Sequence, residues 1–153
     1  MSTSRWAAVV DSVIATLAES PDLVGVHIYD GPNITSDSPP DSITVGHSGA
    51  NEEDVAGSLT QEYRNTGVMA PRDETCEVRC VAQSIDGGTN LAVVRHRALA
   101  LLGVVESTLR ANPQLGLAGI QRVEVSTGTV RQAQTGQGCG VRIEFTIRAF
   151  GLI

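Results

Sequence analysis

The first run of apolar residues with helical spacing lies near the start of the chain. From Trp6 to Leu17, apolar side chains recur every three or four residues, which predicts an amphipathic α-helix. Thr3 or Ser4 is placed to cap its first turn. Because the residue before a proline is pushed out of the α-helical region, we expect the helix to end at Ser20-Pro21.

The strongest helical pattern runs from Leu91 to Leu109. Its apolar members form one wide stripe: Leu91, Val94, Ala98, Leu101, Leu102, Val105 and Leu109. A stripe of this width is typical of a helix that covers a core. Thr89 or Asn90 is a suitable N-cap, and Asn112-Pro113 is a stop signal.

Alternating polar and apolar positions predict strands elsewhere in the chain. The predicted strands are Leu23–Tyr29, Ile43–His47, Gly57–Thr66, Glu74–Ile85, Ile120–Thr135 and Val141–Phe150. We expect Gly67–Asp73 to join the third and fourth strands into a long hairpin, whose Pro71-Arg72-Asp73 tip projects from the body. Gly136–Gly140 joins the last two into a second hairpin. Asn33–Ser42, which contains Pro39-Pro40, is expected to be a loop.

The order of these elements predicts the fold class. Strands outnumber helices and pair with their neighbours in sequence, which is typical of an α+β fold. We therefore expect a mainly antiparallel β-sheet with long hairpins, packed against two α-helices. Since no internal repeat or linker divides the chain, residues 1–153 are predicted to form a single domain.

The composition adds information about one feature of the predicted fold, the charge and polarity of its surface. Apolar residues make up 41% of the 153 residues, aromatic residues 3% and charged residues 18%, against about 25% charged in an average soluble protein. Such a weakly charged, glycine-rich surface suggests burial against copies of the chain or other partners. The formal charge of −6 argues against a DNA-coating role, because phosphate binding depends on Lys and Arg. It does not argue against DNA passing nearby.

Neither a membrane span nor a secretion signal is evident in the sequence. The longest apolar candidate, Leu91–Leu109, is interrupted by charged residues before it reaches the roughly 20 apolar residues of a membrane helix. The start of the chain lacks the basic region and apolar core of a signal peptide. We therefore expect no membrane contact and assembly in a cytosol.

The cysteines and histidines do not suggest a metal or cofactor site. Cys76 and Cys80 fall on one face of a predicted strand, about 13 Å apart, which is too far for a disulfide. Cys139 stands apart from both. His27, His47 and His96 lie on different elements, so the paired ligands of a zinc site are missing. Free thiols, no metal and no cofactor are predicted.

The glycine-rich and acidic segments are predicted to be turns and solvated loops and not ligand sites. Gly136–Gly140 resembles a phosphate-binding loop, but a strand follows it where that chemistry needs a helix. Glu52, Glu53 and Asp54 lack the spacing of a calcium loop and are expected to be solvated. We expect the same of Asp73, Glu74 and Glu77.

Two side chains could in principle carry out catalysis. His96 lies between Arg95 and Arg97 on the second helix, where a general base would need a nucleophile or carboxylate within reach. A half-exposed histidine in a basic patch, able to pair with acids on a neighbouring copy, is favoured. Cys139 would need a nearby histidine to act as a nucleophile. We therefore expect no catalytic residues and no enzyme activity.

The order of elements resembles that of the tail terminator proteins of long-tailed bacteriophages, also known as minor tail or tail completion proteins. The resemblance covers nearly the whole chain and consists of pattern matches rather than signature motifs. It rests on the N-terminal helix, Val24–Val26, Asp41–Gly46, Glu77–Ala82, Arg95–Leu102, Asn112–Leu115, Val123–Val125, Gln132–Thr135, Gly138 and Val141–Ile147.

The resemblance implies a structural virion protein that forms a hexameric ring at the head-proximal end of the tail tube. The ring would stop tube polymerisation and offer a docking surface to head-completion proteins. Its partners would be itself, the tail tube protein and the neck proteins, and its location the head–tail junction, after assembly in the host cytoplasm. DNA would pass through the lumen without specific binding, since lumenal acids repel phosphates.

Two alternatives remain open at this stage. The first is a head–tail connector or neck protein of similar fold. The second is a small ligand-binding or catalytic α+β domain that uses Cys139 or His96. A ligand-sized pocket converging on Cys139 in a stable monomer would favour the second alternative.

Overall fold

A computed structural model describes residues 3–32, 39–48, 55–64 and 71–153. It confirms an α+β fold, with two helices and a six-stranded sheet in these ranges. The helices are α1 (Trp6–Ala18) and α2 (Leu91–Ala111), and a short 3₁₀ turn spans Pro21–Leu23. The strands are β1 (His27–Asp30), β2 (Asp41–Val45), β3 (Gly57–Tyr63), β4 (Arg72–Asp86), β5 (Ile120–Thr135) and β6 (Gly138–Leu152).

The sheet is built around two long central strands, β4 and β6. The strand order is β1-β2-β4-β6-β5. Strand β3 also pairs with β4, next to the residues that pair with β2, so β2 and β3 follow one another along the same edge of β4. Only β1 and β2 run parallel among the described strand pairs; the other pairs are antiparallel. The predicted, mainly antiparallel sheet is confirmed.

Both helices pack on one face of this sheet, as the period-2 pattern requires. In β6 every second residue from Cys139 to Gly151 is buried, and the residues between them are partly exposed. In β4 the same side carries the buried residues Cys76, Val78, Cys80 and Ala82. Helix α1 contacts β1, β2 and β4, whereas α2 contacts β4, β5 and β6.

The core is made almost entirely of aliphatic residues, as the scarcity of aromatic rings predicts. Its largest cluster contains Val9, Val10, Val13 and Leu17 from α1, Leu101, Val105 and Leu109 from α2, and Ile43, Val45, Val78, Phe145 and Ile147 from the sheet. A second cluster lies under the first half of α2 and contains Val94, Ala98, Cys139, Val141 and Ile143. Burying side chains of this size contributes roughly 1.5–3 kcal/mol each.

The first two strands differ from their predicted bounds. Residues 23–26 were expected to be strand, but Leu23 belongs to the 3₁₀ turn and Val24 is 83% exposed. Proline starts that turn, since its fixed φ suits a first helical position. Strand β2 begins two residues before the expected Ile43 and ends at Val45. Gly46, with φ +81°, then turns the chain so that two successive N–H groups bond the Arg79 carbonyl.

The helix boundaries agree closely with the sequence signals. The Asn90 side chain accepts a hydrogen bond from the Val93 N–H, which confirms one of the two predicted caps of α2. At α1, Arg5 occupies the N-cap position, and Ser4 Oγ accepts from the Trp6 N–H. The predicted stop at Asn112-Pro113 is confirmed, because α2 ends at Ala111.

Both predicted hairpins form, with different connections. Strand β3 pairs antiparallel with β4, but Arg72 and Asp73 lie within β4 and face Tyr63 and Glu62, so they do not form a projecting tip. The expected loop at Asn33–Ser42 is shortened, because Asp41 already begins β2; residues 33–38, 49–54 and 65–70, with Glu52, Glu53 and Asp54, lie outside the described residues.

The second hairpin turns across two residues, 136 and 137, instead of the expected five. Gly138 then begins β6 with φ +141°. A Cβ at this position would lie 2.2 Å from the Asp86 carbonyl oxygen. Glycine is therefore required here both by the backbone conformation and by the close approach of the neighbouring turn.

Candidate functional site

The two side chains considered for catalysis are not brought together. Cys139 is 5% exposed and packs in the cluster beneath α2. His96 lies on the exposed side of that helix, and its two arginine neighbours turn to other partners. Arg95 Nε donates to Gln132 Oε1 at 2.7 Å, and Arg97 forms an ion pair with Asp41 at 3.0 Å. A nucleophile–base pair is therefore not assembled at either residue.

A concavity of about 950 Å³ opens at the end of the β5–β6 hairpin. Polar side chains and glycines line much of it, including Gln83, Asp86, Arg97, Arg131, Gln132, Gly138, Gly140 and Arg142. Cys139 is also among its lining residues, but no histidine is. The described residues therefore place no Cys–His pair in the concavity; the carboxylate of Asp86 lies on β4 opposite Cys139.

No group of three or more His, Cys, Asp and Glu side chains gathers in the part of the chain that the structure describes. The cysteines are all free and buried, as the strand spacing of Cys76 and Cys80 predicts. Burial in the core raises the pKa of both of these thiols to about 12, which leaves them protonated and unreactive.

The expectation that Glu74 is solvated is wrong. Its side chain is buried, at 3% exposure, and accepts hydrogen bonds from four donors. The donors are Ser4 Oγ, the Arg5 N–H, Gln61 Nε2 and Cys76 Sγ. Burial alone would raise the pKa of this carboxyl group, but the four hydrogen bonds outweigh burial and hold the pKa below its usual value.

Glu74 ties the start of α1 to the sheet, which gives it a structural role. The Arg5 N–H that it accepts is at the N-cap of the helix, where negative charge also interacts favourably with the helix dipole. The signal for this position was present in the sequence. Glu74 is two residues before Cys76, so the period of the strand places it on the buried face.

The sheet face opposite the helices is densely charged. Five arginines project from it: Arg79, Arg122, Arg131, Arg142 and Arg148. Four of them form ion pairs: Arg148 with Glu77, Arg122 with Glu124, and both Arg131 and Arg142 with Glu144. Phe150 lies between the guanidinium groups of Arg122 and Arg148, at 4.4 and 5.4 Å from its ring centre. Two of these guanidinium groups therefore also make cation–π contacts on this face.

The sheet has two different free edges. At one end, β5 pairs only with β6, and residues from Ser126 to Thr135 are exposed wherever their side chains are described. At the other end lie β1 and β3, and β3 exposes Leu59 and Tyr63. No further strand covers either edge within the described ranges. Edges of this kind can pair with another chain.

Comparison with known proteins supports the fold at full length. No protein-family model matches the chain, and no curated protein sequence matches it significantly. A solved structure does match, a chain from the virion of a native gene transfer agent particle. It superposes with a TM-score of 0.70 and 15% sequence identity, over 99% of this chain and 100% of that chain. The two chains therefore share a fold.

No helix among the described residues has both the length and the apolar character that spanning a bilayer requires.

Proposed function

We propose that this chain is a structural virion protein of a tailed, phage-like particle, and that it forms a ring at the head-proximal end of the tail tube. The ring ends tube polymerisation and presents a docking surface to head-completion proteins. The observation that carries this proposal is the end-to-end match of fold with a chain of a gene transfer agent virion.

The two unlike edges of the sheet support a ring. A closed ring of identical subunits needs a head-to-tail contact, in which one surface of a copy meets a different surface of the next. The β5 edge and the β1/β3 edge lie at opposite ends of the strand order. Each copy therefore has two distinct surfaces available for such a contact, and we propose a hexamer on the basis of the resemblance in sequence pattern.

The proposed role requires no catalytic activity of the chain itself. The thiol that lines the concavity is buried, and the described lining residues provide no histidine to activate it. The same proposal assigns the lumen to DNA that passes without specific binding. A ring multiplies the charge of −6 that each copy carries, and carboxylates near the lumen would repel phosphate groups.

The ring and its position can be tested with purified components. The chain is mixed with the tail tube protein encoded beside it, and the products are examined by negative-stain electron microscopy and native mass spectrometry. We expect rings, and tubes whose growth stops once a ring covers one end. Rings that bind a neck protein but never a tube end would indicate the connector role instead. A chain that stays monomeric both alone and with tubes would overturn the proposal.

A further inference from the structure

Charge is distributed very unevenly along this chain. Residues 1–63 contain ten acidic residues and one arginine, a formal charge of −9, whereas residues 64–153 contain seven acidic residues and ten arginines, a formal charge of +3. The chain contains no lysine. An asymmetry of this size between two parts of a chain suggests surfaces that attract partners of opposite charge.

Among the described residues, the outermost strands of the two parts lie at opposite ends of the sheet. Strand β1 is at one end of the strand order and β5 at the other, which separates them by four strand spacings, or about 19 Å. Helix α1 packs on the β1 side and α2 on the β5 side. The carboxylates beside β1 therefore lie far from the arginines beside β5, although Asp41 on β2 reaches Arg97.

One side carries what we name the acidic edge, the carboxylates Asp11, Glu19, Asp22 and Asp30. These four residues lie on α1, after it, in the 3₁₀ turn and on β1, and all are exposed. No arginine or lysine occurs between residues 6 and 32. Within the described ranges, none of the four carboxylates forms an ion pair. Their charge is uncompensated inside the subunit.

The other side carries what we name the basic edge: Arg95 on α2, Arg131 on β5 and Arg142 beside it on β6. Arg95 reaches β5 from the helix side, whereas Arg131 and Arg142 project from the opposite face of the sheet. Arg95 is held by the neutral amide of Gln132 and forms no ion pair with a described residue. Arg131 and Arg142 share a single carboxylate, that of Glu144, at 3.1 and 3.0 Å. Three guanidinium groups are thus matched by one carboxylate, which leaves the basic edge with surplus positive charge.

We propose that the acidic edge of one copy docks against the basic edge of the next copy. This inference rests on the proposed ring and specifies the surfaces that form it. Because the two edges differ, their contact is head-to-tail, as closure into a ring requires. Charge complementarity would also speed assembly and reject wrong orientations, since acid-to-acid and base-to-base contacts are repulsive. It would explain how copies that each carry −6 associate at all.

Charge reversal on one edge at a time tests this contact in the full chain. The first variant combines Asp11→Arg, Glu19→Arg and Asp22→Arg, which leaves Asp30 as the one acidic side chain of that edge, and the second combines Arg95→Glu with Arg131→Glu. Each variant alone has the same sign on both edges, so we expect its association to weaken by about tenfold or more. In an equimolar mixture every contact of an alternating ring again joins opposite charges. We therefore expect the mixture to restore rings, measured by native mass spectrometry and analytical ultracentrifugation.

Two controls separate the edge contact from general effects of charge. Arg79→Glu changes an exposed arginine in the middle of the sheet face that lies opposite the helices, and we expect it to leave ring formation unchanged. Thermal unfolding followed by circular dichroism verifies that each variant remains folded. Raising salt from about 0.01 M to about 1 M shortens the Debye length from roughly 30 Å to roughly 3 Å, so the wild-type rings should loosen progressively.

The outcomes distinguish this inference from the function on which it rests. Rings that form equally well from either variant alone would overturn the edge contact and leave the proposed function intact. So would variants that fail singly and also fail when mixed while remaining folded. A wild-type chain that never forms rings, in solution or on tail tubes, would overturn both.

Discussion

The buried carboxylate of Glu74 allows a quantitative prediction about stability. Replacement by alanine removes the carboxylate that accepts from four donors, among them the Arg5 N–H and the Ser4 hydroxyl. Leaving a buried donor unsatisfied costs about 1–3 kcal/mol. Because the start of α1 can move to let water reach some donors, we expect a loss of about 3 kcal/mol in the free energy of unfolding. For a chain of this size that lowers Tm by roughly 6–12 °C.

The variant Glu74→Gln separates charge from shape. Glutamine fills the same space, but its NH₂ group faces a donor, Gln61 Nε2, and the charge-assisted bonds become neutral. We expect a loss of about 1–2 kcal/mol at pH 7, which is smaller than for alanine. Urea unfolding followed by circular dichroism measures both variants against the wild type under the same conditions.

The dependence on pH provides a second readout with a defined sign. The pKa of Glu74 is lower in the folded chain than its usual value of 4.5. A group with a depressed folded pKa stabilises the fold fully above its unfolded pKa, and this contribution disappears as pH falls through the folded pKa. The wild type should therefore lose its advantage over Glu74→Gln below about pH 4.5. Equal stability of the two at pH 7, or a constant difference down to acid pH, would refute this account of the carboxylate.

Three further outcomes follow from specific contacts. Asp41→Ala should lower the free energy of unfolding in urea by about 1–3 kcal/mol, because the buried Ser84 hydroxyl loses its acceptor at 2.7 Å. Arg97→Ala removes only a partly exposed ion pair and should cost at most about 1 kcal/mol. Equal costs would contradict this ranking. Gly138→Ala should lower Tm measurably, whereas Gly136→Ala should not, because a Cβ at residue 136 meets no atom within 4 Å. Differential scanning calorimetry of the two variants distinguishes conformational strain at residue 138 from a general effect of replacing glycine in the turn. The three buried cysteines should react with a thiol reagent only after denaturation, and rapid labelling of one thiol in the native chain would reopen the nucleophile alternative.

Local patterns predict the helices and the long strands well. The buried set on β4 and the alternation in β6 follow directly from the period of two, because one face of each strand is covered by helices. The stripe on α2 is equally direct, since Val94, Ala98 and Val105 are all buried. These features depend on residues close together in sequence, which a single chain displays without any partner.

Long-range pairing could not be predicted in the same way. Strands β2 and β3 share one edge of β4, and β1 runs parallel to β2, although neither arrangement leaves a local signal. The start of β1 was predicted too early for the same reason. Leu23 lies in a 3₁₀ turn and is buried in the core, and the sequence does not distinguish a buried apolar residue in a turn from one in a strand. At Glu74 two local signals conflict: a carboxylate is typical of a solvated position, whereas the period of the strand places it on the buried face of β4.

The edge contact was only partly foreseeable. The arginines beside His96 suggested a basic patch that pairs with acidic residues of a neighbouring copy, but Arg97 forms its ion pair within the chain, with Asp41. Arg95 belongs to the basic edge together with Arg131 of β5 and Arg142 of β6, which lie some forty residues later in the sequence. Only the folded arrangement reveals which charges remain uncompensated.

The long β4–β6 ladder has a mechanical consequence. Its pairing is continuous from Asp73 opposite Leu152 to Asp86 opposite Cys139. A pull along the strands loads these backbone hydrogen bonds in parallel, as a shear, so that they must yield together; a pull across the strands would open them one after another. The centre of the subunit is therefore stiff along the strand axis and weakest against peeling from its edges, where β1 and β5 are held by a single neighbour.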